Sequence, residues 1–416
     1  MRTALNIDEQ SPRRPEILAP AGNMTCLQAA INAGADAVYL GVDVFNMRCG
    51  ASANFAREAL PEASRRCREA GVRLYLTVNT IVFEEELPKV EELLAFAKPH
   101  IDAAIVSDWA VFLACKRLGI PIHVSTQMSC ANSAAANFLK EMGAERVVLA
   151  RECTLDEVAE ITRKSSIEIE TFVHGAICVA ESGRCFLSHE AYGFSANRGE
   201  CRQPCRRFYR VQEIREDAHS TATFDVAGHT IFSARDLFSL PFLDRLVAAG
   251  VASFKIEGRG RNAEYVATVT KAYRTARDTI LAGSFTPELV RELTEACTRV
   301  YHRDLGTGLY FGRPGKEQFV ADGTENLATV RKMHLGVVTE YYRKTGTVLM
   351  KVHNDALHPG DKLSIQGDKT GVVELSPAEV CINGRPVTKA RKGADATFPC
   401  AMPVQPGDVV YQLNKV

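Results

Sequence analysis

Between Glu16 and Gly258 the chain repeats one pattern: a short apolar run followed by a stretch with helical periodicity. The runs are Glu16 to Pro20, Ala37 to Gly41, Arg73 to Asn79, Ala103 to Ser107, Ile122 to Thr126, Arg146 to Ala150, Ile167 to Val173 and Ala252 to Gly258. They are short and rich in Val, Ile and aromatic residues, as buried parallel strands are. Amphipathic helices are predicted between them, at Thr25 to Ala33, Leu60 to Ala70, Glu84 to Ala97 and Leu155 to Arg163, with a closing helix at Asn262 to Ala282. Gly34 and Gly71 stand where helix C-termini favour glycine, and Thr25 and Thr154 stand at N-cap positions.

Strands alternating with helices imply right-handed crossovers, and eight such strands are the number that closes a (β/α)8, TIM-like barrel. A doubly wound open sheet is the alternative α/β arrangement. In a barrel, function sits at the C-terminal ends of the strands. Those ends carry Asn23, Asn79, Asp108, Gln127, Arg151 with Glu152, His174, and Glu257 with Arg259. For any one of them, a polar residue that opens a loop is the simpler reading. Their convergence on one rim is what an active site needs.

The spacing breaks once, after strand seven, where residues 175–250 are far longer than a βα connection requires. Beyond Gly306 the pattern changes to short alternating runs divided by turns such as Pro359-Gly360-Asp361 and Pro406-Gly407-Asp408. The expected organisation is an N-terminal tail at 1–14, a barrel domain at 15–305 with a long Cys-rich insertion at 175–250, a linker at 306–332 and a small all-β barrel domain at 333–416.

Composition adds two points. Lys and Arg total 50 and Asp and Glu total 50, so the chain is neutral overall, and any polyanion would have to be met by a local patch. There are 13 cysteines. Met1 to Pro15 hold no secretory apolar core, and no run reaches the length of a membrane span. A cytoplasmic chain with reduced thiols and no membrane contact is therefore expected. Cys26, Cys67, Cys115, Cys297 and Cys381 sit singly on apolar patterns and read as small buried hydrophobes.

Four cysteines are different. Cys178, Cys185, Cys201 and Cys205 lie in the insertion with spacing Cys-x6-Cys-x15-Cys-x3-Cys. Sulfur ligands select zinc or an iron–sulfur cluster. Structural zinc favours tighter pairs, which only the second pair provides. Gly175, Gly183 and Gly199, with Arg184, Arg202 and Arg206, suit a cluster by supplying free amides and positive charge. The remaining alternative is four ordinary cysteines.

His174 precedes the first of these cysteines and is a candidate for substrate contact or proton transfer, or else a hydrogen-bonded strand-end residue. Arg202, Arg206, Arg207 and Arg210, interleaved with Phe208 and Tyr209, form a basic-aromatic patch for RNA or a solvated face. Lys255, Glu257 and Arg259 alternate along strand eight, so all three face the lumen, as an internal ion network or with Arg259 meeting an anion. No Gly-x-Ser-x-Gly or His-Glu-x-x-His motif occurs, which leaves Cys178 with His174 as the conceivable proteolytic pair.

Leu18 to Gly22, Val38 to Gly41, the His174-to-Cys185 segment, Asn197 to Arg206 and Lys255 to Arg259 together resemble the peptidase U32 family, over about residues 15–285. The resemblance implies iron–sulfur proteins that promote hydroxylation: of the tRNA wobble uridine to 5-hydroxyuridine, of ribosomal RNA, or of a small molecule in oxygen-independent ubiquinone synthesis. The compact trailing β-domain resembles the tRNA hydroxylation branch. By the same resemblance Cys178, Cys185, Cys201 and Cys205 match ligands of a 4Fe-4S cluster, and the oxygen donor is prephenate-linked. The expected site is then His174, Glu257 and Arg259 for catalysis, with Asn79, Gln127, Arg202, Arg206, Arg207 and Arg235 contacting tRNA. The electron donor is unknown, and a family peptidase of collagenase type is the older alternative.

Overall fold

A computed structural model describes residues 14–50, 54–178, 180–181, 184–207, 211–212, 223–224, 233–312 and 326–416. The expected tail at 1–14 therefore lies, apart from Arg14, outside the described residues, as do Phe208, Tyr209 and Arg210 of the basic-aromatic run.

Eight parallel strands close on themselves: β1 (Glu16–Pro20), β2 (Ala37–Leu40), β3 (Arg73–Val78), β4 (Ala103–Val106), β5 (Ile122–Val124), β6 (Arg146–Val148), β7 (Glu168–Gly175) and β8 (Ser253–Ile256). Each pairs with the next, and β8 pairs with both β7 and β1, so the barrel has no free edge. The open-sheet alternative is excluded. Helices α1 (Met24–Asn32), α2 (Leu60–Glu69), α3 (Leu87–Ala97), α4 (Trp109–Leu118), α5 (Ser133–Met142) and α6 (Leu155–Lys164) follow the first six strands. Thr154 caps α6 in a reciprocal capping box with Glu157, as its position predicts. The cap of α1 is Asn23 rather than Thr25: its side chain accepts from the Cys26 amide. Asp108 caps α4 in the same way, so neither Asn23 nor Asp108 is spent on a site.

The insertion is shorter than 175–250, because α8 (Leu243–Ala248) is the seventh barrel helix and follows it. Within the insertion lies the short helix α7 (Leu187–Tyr192), and its end returns as a strand, Asp236–Phe238, antiparallel to the tip of β7. The closing helix α9 (Ala263–Leu281) has Asn262 as N-cap and Ala282 as C-cap. After α10 (Pro287–Thr298), residues 305–312 are no loose linker: Tyr310 is buried and its hydroxyl donates to the Phe172 carbonyl at 2.6 Å.

The C-terminal domain is an eight-stranded antiparallel sheet that begins at Val330 and surrounds its own apolar core, which includes Leu335, Val348, Met350, Ile365 and Phe398. It docks on α1, α2 and α9. Thr25 donates to Asp368 at 2.6 Å, the Asn32 amide to the Thr370 carbonyl at 3.0 Å, and Lys332 pairs with Glu264 at 2.9 Å.

The barrel lumen is unusually charged. Residues alternating along the strands put Glu16, Arg146, Glu170 and Lys255 inside, all nearly inaccessible. Arg146 donates to Glu16 at 2.6 Å, to Glu170 at 3.2 Å and to Glu168 at 2.8 Å, and Lys255 donates to Glu170 at 2.9 Å. Tyr75 and Ser253 complete Glu16, at 2.8 and 3.2 Å, and Arg73 reaches it from the barrel floor. Burial pushes the Glu170 carboxyl upward, but Lys255 and Arg146 outweigh it and hold the group at about 2.

Deleting one member of a buried network leaves its partners charged and uncompensated, which costs about 3–5 kcal/mol. Glu170→Ala is expected to lower the free energy of urea unfolding by that amount. A change within experimental error would mean that the network contributes nothing to stability.

Candidate functional site

Above the charged layer the barrel opens into a cavity of about 1200 Å³, counted with its mouth. Its floor is Tyr39, Ile105, Phe172 and Lys255, and its walls carry Thr77, Asn79, Ser125, Gln127, Arg151, Glu257 and Arg259. One side is the insertion, which contributes Cys178, Cys185, Cys201 and Cys205 together. The fold thus brings Asn79, Gln127, Glu257, Arg259 and all four clustered cysteines to a single space.

Glu257 is the one carboxylate among the lining residues. Arg48, on the loop after β2, donates to it at 2.9 Å. Burial opposes the Glu257 charge, yet Arg48, Arg261 and Arg151 outweigh it and hold the carboxyl below its ordinary range. Arg259 is buried and donates from one nitrogen to Asn46 at 2.9 Å and to Thr77 at 2.8 Å. Arg151 stacks 3.9 Å from the centre of the Phe172 ring, and its Nε has no hydrogen-bond partner among the described residues. Among the described residues neither Arg151 nor Arg259 has a carboxylate within salt-bridge distance, so the cavity carries an excess of positive charge. Lys255, Glu257 and Arg259 do face inward as their spacing predicts, but each finds its partner on another strand or loop. Asn79 donates to Ser125 and Gln127 at 3.3 and 3.4 Å and accepts from the Met47 amide at 3.2 Å.

His174 is a correction. Glu170 and Phe172 face the lumen, and strict alternation would place His174 with them. The register slips between Lys255 and Ile256, so Phe172 pairs with Lys255 and His174 with Ile256, leaving Val173 as an extra residue. The bulge turns His174 outward, away from Cys178, into a pocket of Phe238, Tyr265 and Tyr273. Its Nδ1 lies 3.4 Å from the Tyr273 hydroxyl, and burial lowers its pKa to about 3. It is a neutral packing residue, and no His174–Cys178 pair forms.

The arginines expected to meet RNA divide. Arg202 and Arg207 are exposed and lie over the rings of Phe194 and Tyr192, at 4.2 and 4.9 Å. Arg206 is buried instead. It donates to Ser233 at 2.9 Å, to the Ala234 carbonyl at 2.6 Å and to the Ile177 carbonyl, so it fastens the insertion to β7. Arg235 is paired with Asp304 at 3.1 Å. These two are structural because their guanidiniums are already engaged by neighbouring chain.

The cysteines are electrically aware of one another. Burial pushes the Cys205 thiol up to about 11, with Cys178, Cys201 and Cys185 acting in the same direction against the opposing charge of Arg206. Among the described residues no three His, Cys, Asp or Glu side chains close around a single ion. The loop after β2 locks the cysteine segment in place: Gly50 N donates to the Gly199 carbonyl at 3.2 Å, and Cys49 Sγ to the Arg198 carbonyl at 3.0 Å. A side chain at Gly199, where φ is +88°, would meet Cys49 Sγ at 2.8 Å.

Asn46, Arg48 and Arg303 belong to the site, yet nothing in the apolar pattern marks them. Arg48 and Asn46 follow β2 by several residues, and Arg303 sits in a stretch with no periodicity at all. No helix among the described residues is long and apolar enough to cross a membrane.

The sequence profile of peptidase family U32 matches residues 22–319. A collagenase of Porphyromonas gingivalis is 36% identical over 96% of this chain and 98% of its own length. An uncharacterized protease of Methanocaldococcus jannaschii is 39% identical over 96% and 98%. The tRNA hydroxylation protein P1 of Bacillus subtilis is 33% identical over 88% and 86%.

Buried histidines give the fold a pH signature, with His302 lowered by burial in the same direction as the two most buried, His123 and His174. Burial lowers His123 and His174 to about 3 each, so between the ordinary value near 6.5 and 3 the unfolded chain binds protons that the folded chain refuses. Stability is expected to fall with pH through that window, by up to about 1.4 kcal/mol per pH unit for each histidine. His174→Phe should remove one proton's worth of that slope in urea unfolding compared at pH 7 and pH 5. An unchanged slope would show that His174 is protonated in the folded state.

Proposed function

The chain belongs to the peptidase U32 family, and on that footing we propose that it is an iron–sulfur enzyme that hydroxylates the wobble uridine of tRNA to 5-hydroxyuridine. One observation carries the reading: four cysteines, the amide side chains of Asn79, Gln127 and Gln203, and a single carboxylate among the described residues share one open cavity at the C-terminal rim of the barrel. A peptidase needs a nucleophile with a base in hydrogen-bond reach. With His174 turned away, Cys178 has no such partner among the described residues.

Each residue then has work to do. The wobble base leaves its stack to enter the cavity, as a base must for chemistry on its ring. Asn79 and Gln127 present amides to its edge. Glu257, ionised and pinned by Arg48, is placed to accept the proton lost from the base. Arg259 and Arg151, which have no carboxylate partner among the described residues, favour an anionic oxygen donor of the prephenate-linked kind. Arg202 and Arg207, stacked on exposed aromatic rings at the rim, face the phosphates and neighbouring bases. Cys178, Cys185, Cys201 and Cys205 would hold a 4Fe-4S cluster, which supplies single electrons when bound.

Two measurements test this. Nucleosides of tRNA from a strain lacking the protein are expected to lose 5-hydroxyuridine, by mass spectrometry, and an unchanged level would remove the tRNA reading. Protein purified without oxygen is expected to be coloured and to contain iron, and Cys201→Ala to lose both; a colourless, iron-free wild type would remove the cluster. Glu257→Gln should slow the reaction by about 10²–10⁴-fold, the range of general-base catalysis, while leaving tRNA binding intact.

A further inference from the structure

Arg303 lies beyond α10, is 5% exposed and lines the cavity alongside the four cysteines. Its Nη2 donates to Gln203 Oε1 at 3.1 Å. Gln203 has φ of +53°, a left-handed conformation unusual for a residue with a side chain, and stands two residues before Cys205. Arg303 therefore clamps the turn that delivers Cys205 to the cavity. Its Nε and Nη1 have no hydrogen-bond acceptor among the described residues. Nη1 lies 3.6 Å from Asp236 Oδ1, an ion-pair distance rather than a hydrogen bond.

Arg206 lines the same wall and is equally buried. Its own donors go to Ser233 and to neutral carbonyls. Asp236 is the buried carboxylate that pairs with Arg303, its charge also acts on Arg206, and its Oδ1 accepts no hydrogen bond among the described residues. A buried charge excess is costly unless something of opposite sign meets it. A cluster held by four thiolates carries net negative charge, and surrounding charge is one of the levers that sets its potential.

Resting on the iron–sulfur reading above, we infer that Arg303 is a positioning residue for the cluster: it fixes the Cys205 turn through Gln203 and, together with Arg206, balances the cluster's negative charge and raises its reduction potential, with Asp236 opposing them. Removing a positive charge from this wall makes the reduced cluster harder to form. Removing the negative charge of Asp236 makes it easier.

The test uses the full chain, purified anaerobically as wild type, Arg303→Gln, Arg303→Lys and Asp236→Asn. Iron and acid-labile sulfide per chain are measured first, then the midpoint potential by dye-mediated titration followed in the visible spectrum. Arg303→Gln is expected to shift the midpoint to more negative potential, Arg303→Lys to recover part of the shift, and Asp236→Asn, which keeps the shape of the side chain, to shift it to more positive potential. Loaded variants that all keep the wild-type midpoint, or that all shift with one sign, would overturn the inference. Should Arg303→Gln fail to retain iron, Asp236→Asn alone decides, with an unshifted or negatively shifted midpoint counting against. A wild type without iron would overturn the cluster itself, a result separate from any difference among variants.

Discussion

Glu170 stands inside the barrel between Arg146 and Lys255, and this buried carboxylate with its two cations sets the terms for the rest of the molecule. Barrel lumens are ordinarily filled by branched apolar side chains, layer on layer. Here the lower layers are filled by ion pairs that must be complete, since an unpaired charge in that space would be prohibitive. Glu16 and Tyr75 supply the completion from two further strands, and Ser253 from the strand of Lys255 itself. Leu18, Tyr39, Tyr75 and Ile105 pack with this charged layer, and above Tyr39 and Lys255 the lumen remains open.

That open space is closed on one side by chain from elsewhere. The loop after β2 reaches inward with Asn46 and Arg48 to meet Arg259 and Glu257, and outward with Cys49 and Gly50 to grip the turn at Gly199. One short segment therefore fixes both the polar wall and the cysteine wall. Arg206 and Arg303 perform the same service from behind the cysteines. The C-terminal sheet plays no part in the cavity; it rests against α1, α2 and α9 through a handful of hydrogen bonds and ion pairs.

Much of this was legible in the chain. The eight apolar runs, the helix between Asn262 and Ala282, the capping box at Thr154 and the all-β character after Met333 follow from periodicity and turn chemistry, which are local properties. The four cysteines were legible too, since four thiols in one glycine-containing insertion are poor core material. His174 reads as a rim residue from its place at the strand end before Cys178, while the bulge at Val173 that turns it outward exists only in the pairing of β7 with β8. Arg206 reads as part of a basic run because its sequence neighbours are basic; its partners Ser233 and Ala234, like Asp304 for Arg235, are distant or unremarkable in sequence.

The sequence by itself determined the elements, their number, and which residue types the rim could offer, because hydrophobic period, caps and turn residues act over a few positions. Tertiary structure alone decided which of those residues share a cavity, which cations remain without a carboxylate, and which histidine is hidden. Those outcomes depend on barrel closure, strand register and loops that meet across large separations, such as Arg48 with Glu257 and Arg303 with Gln203. A charge's cost or use is set by what surrounds it, and in this chain the surroundings come from segments that the local pattern does not connect.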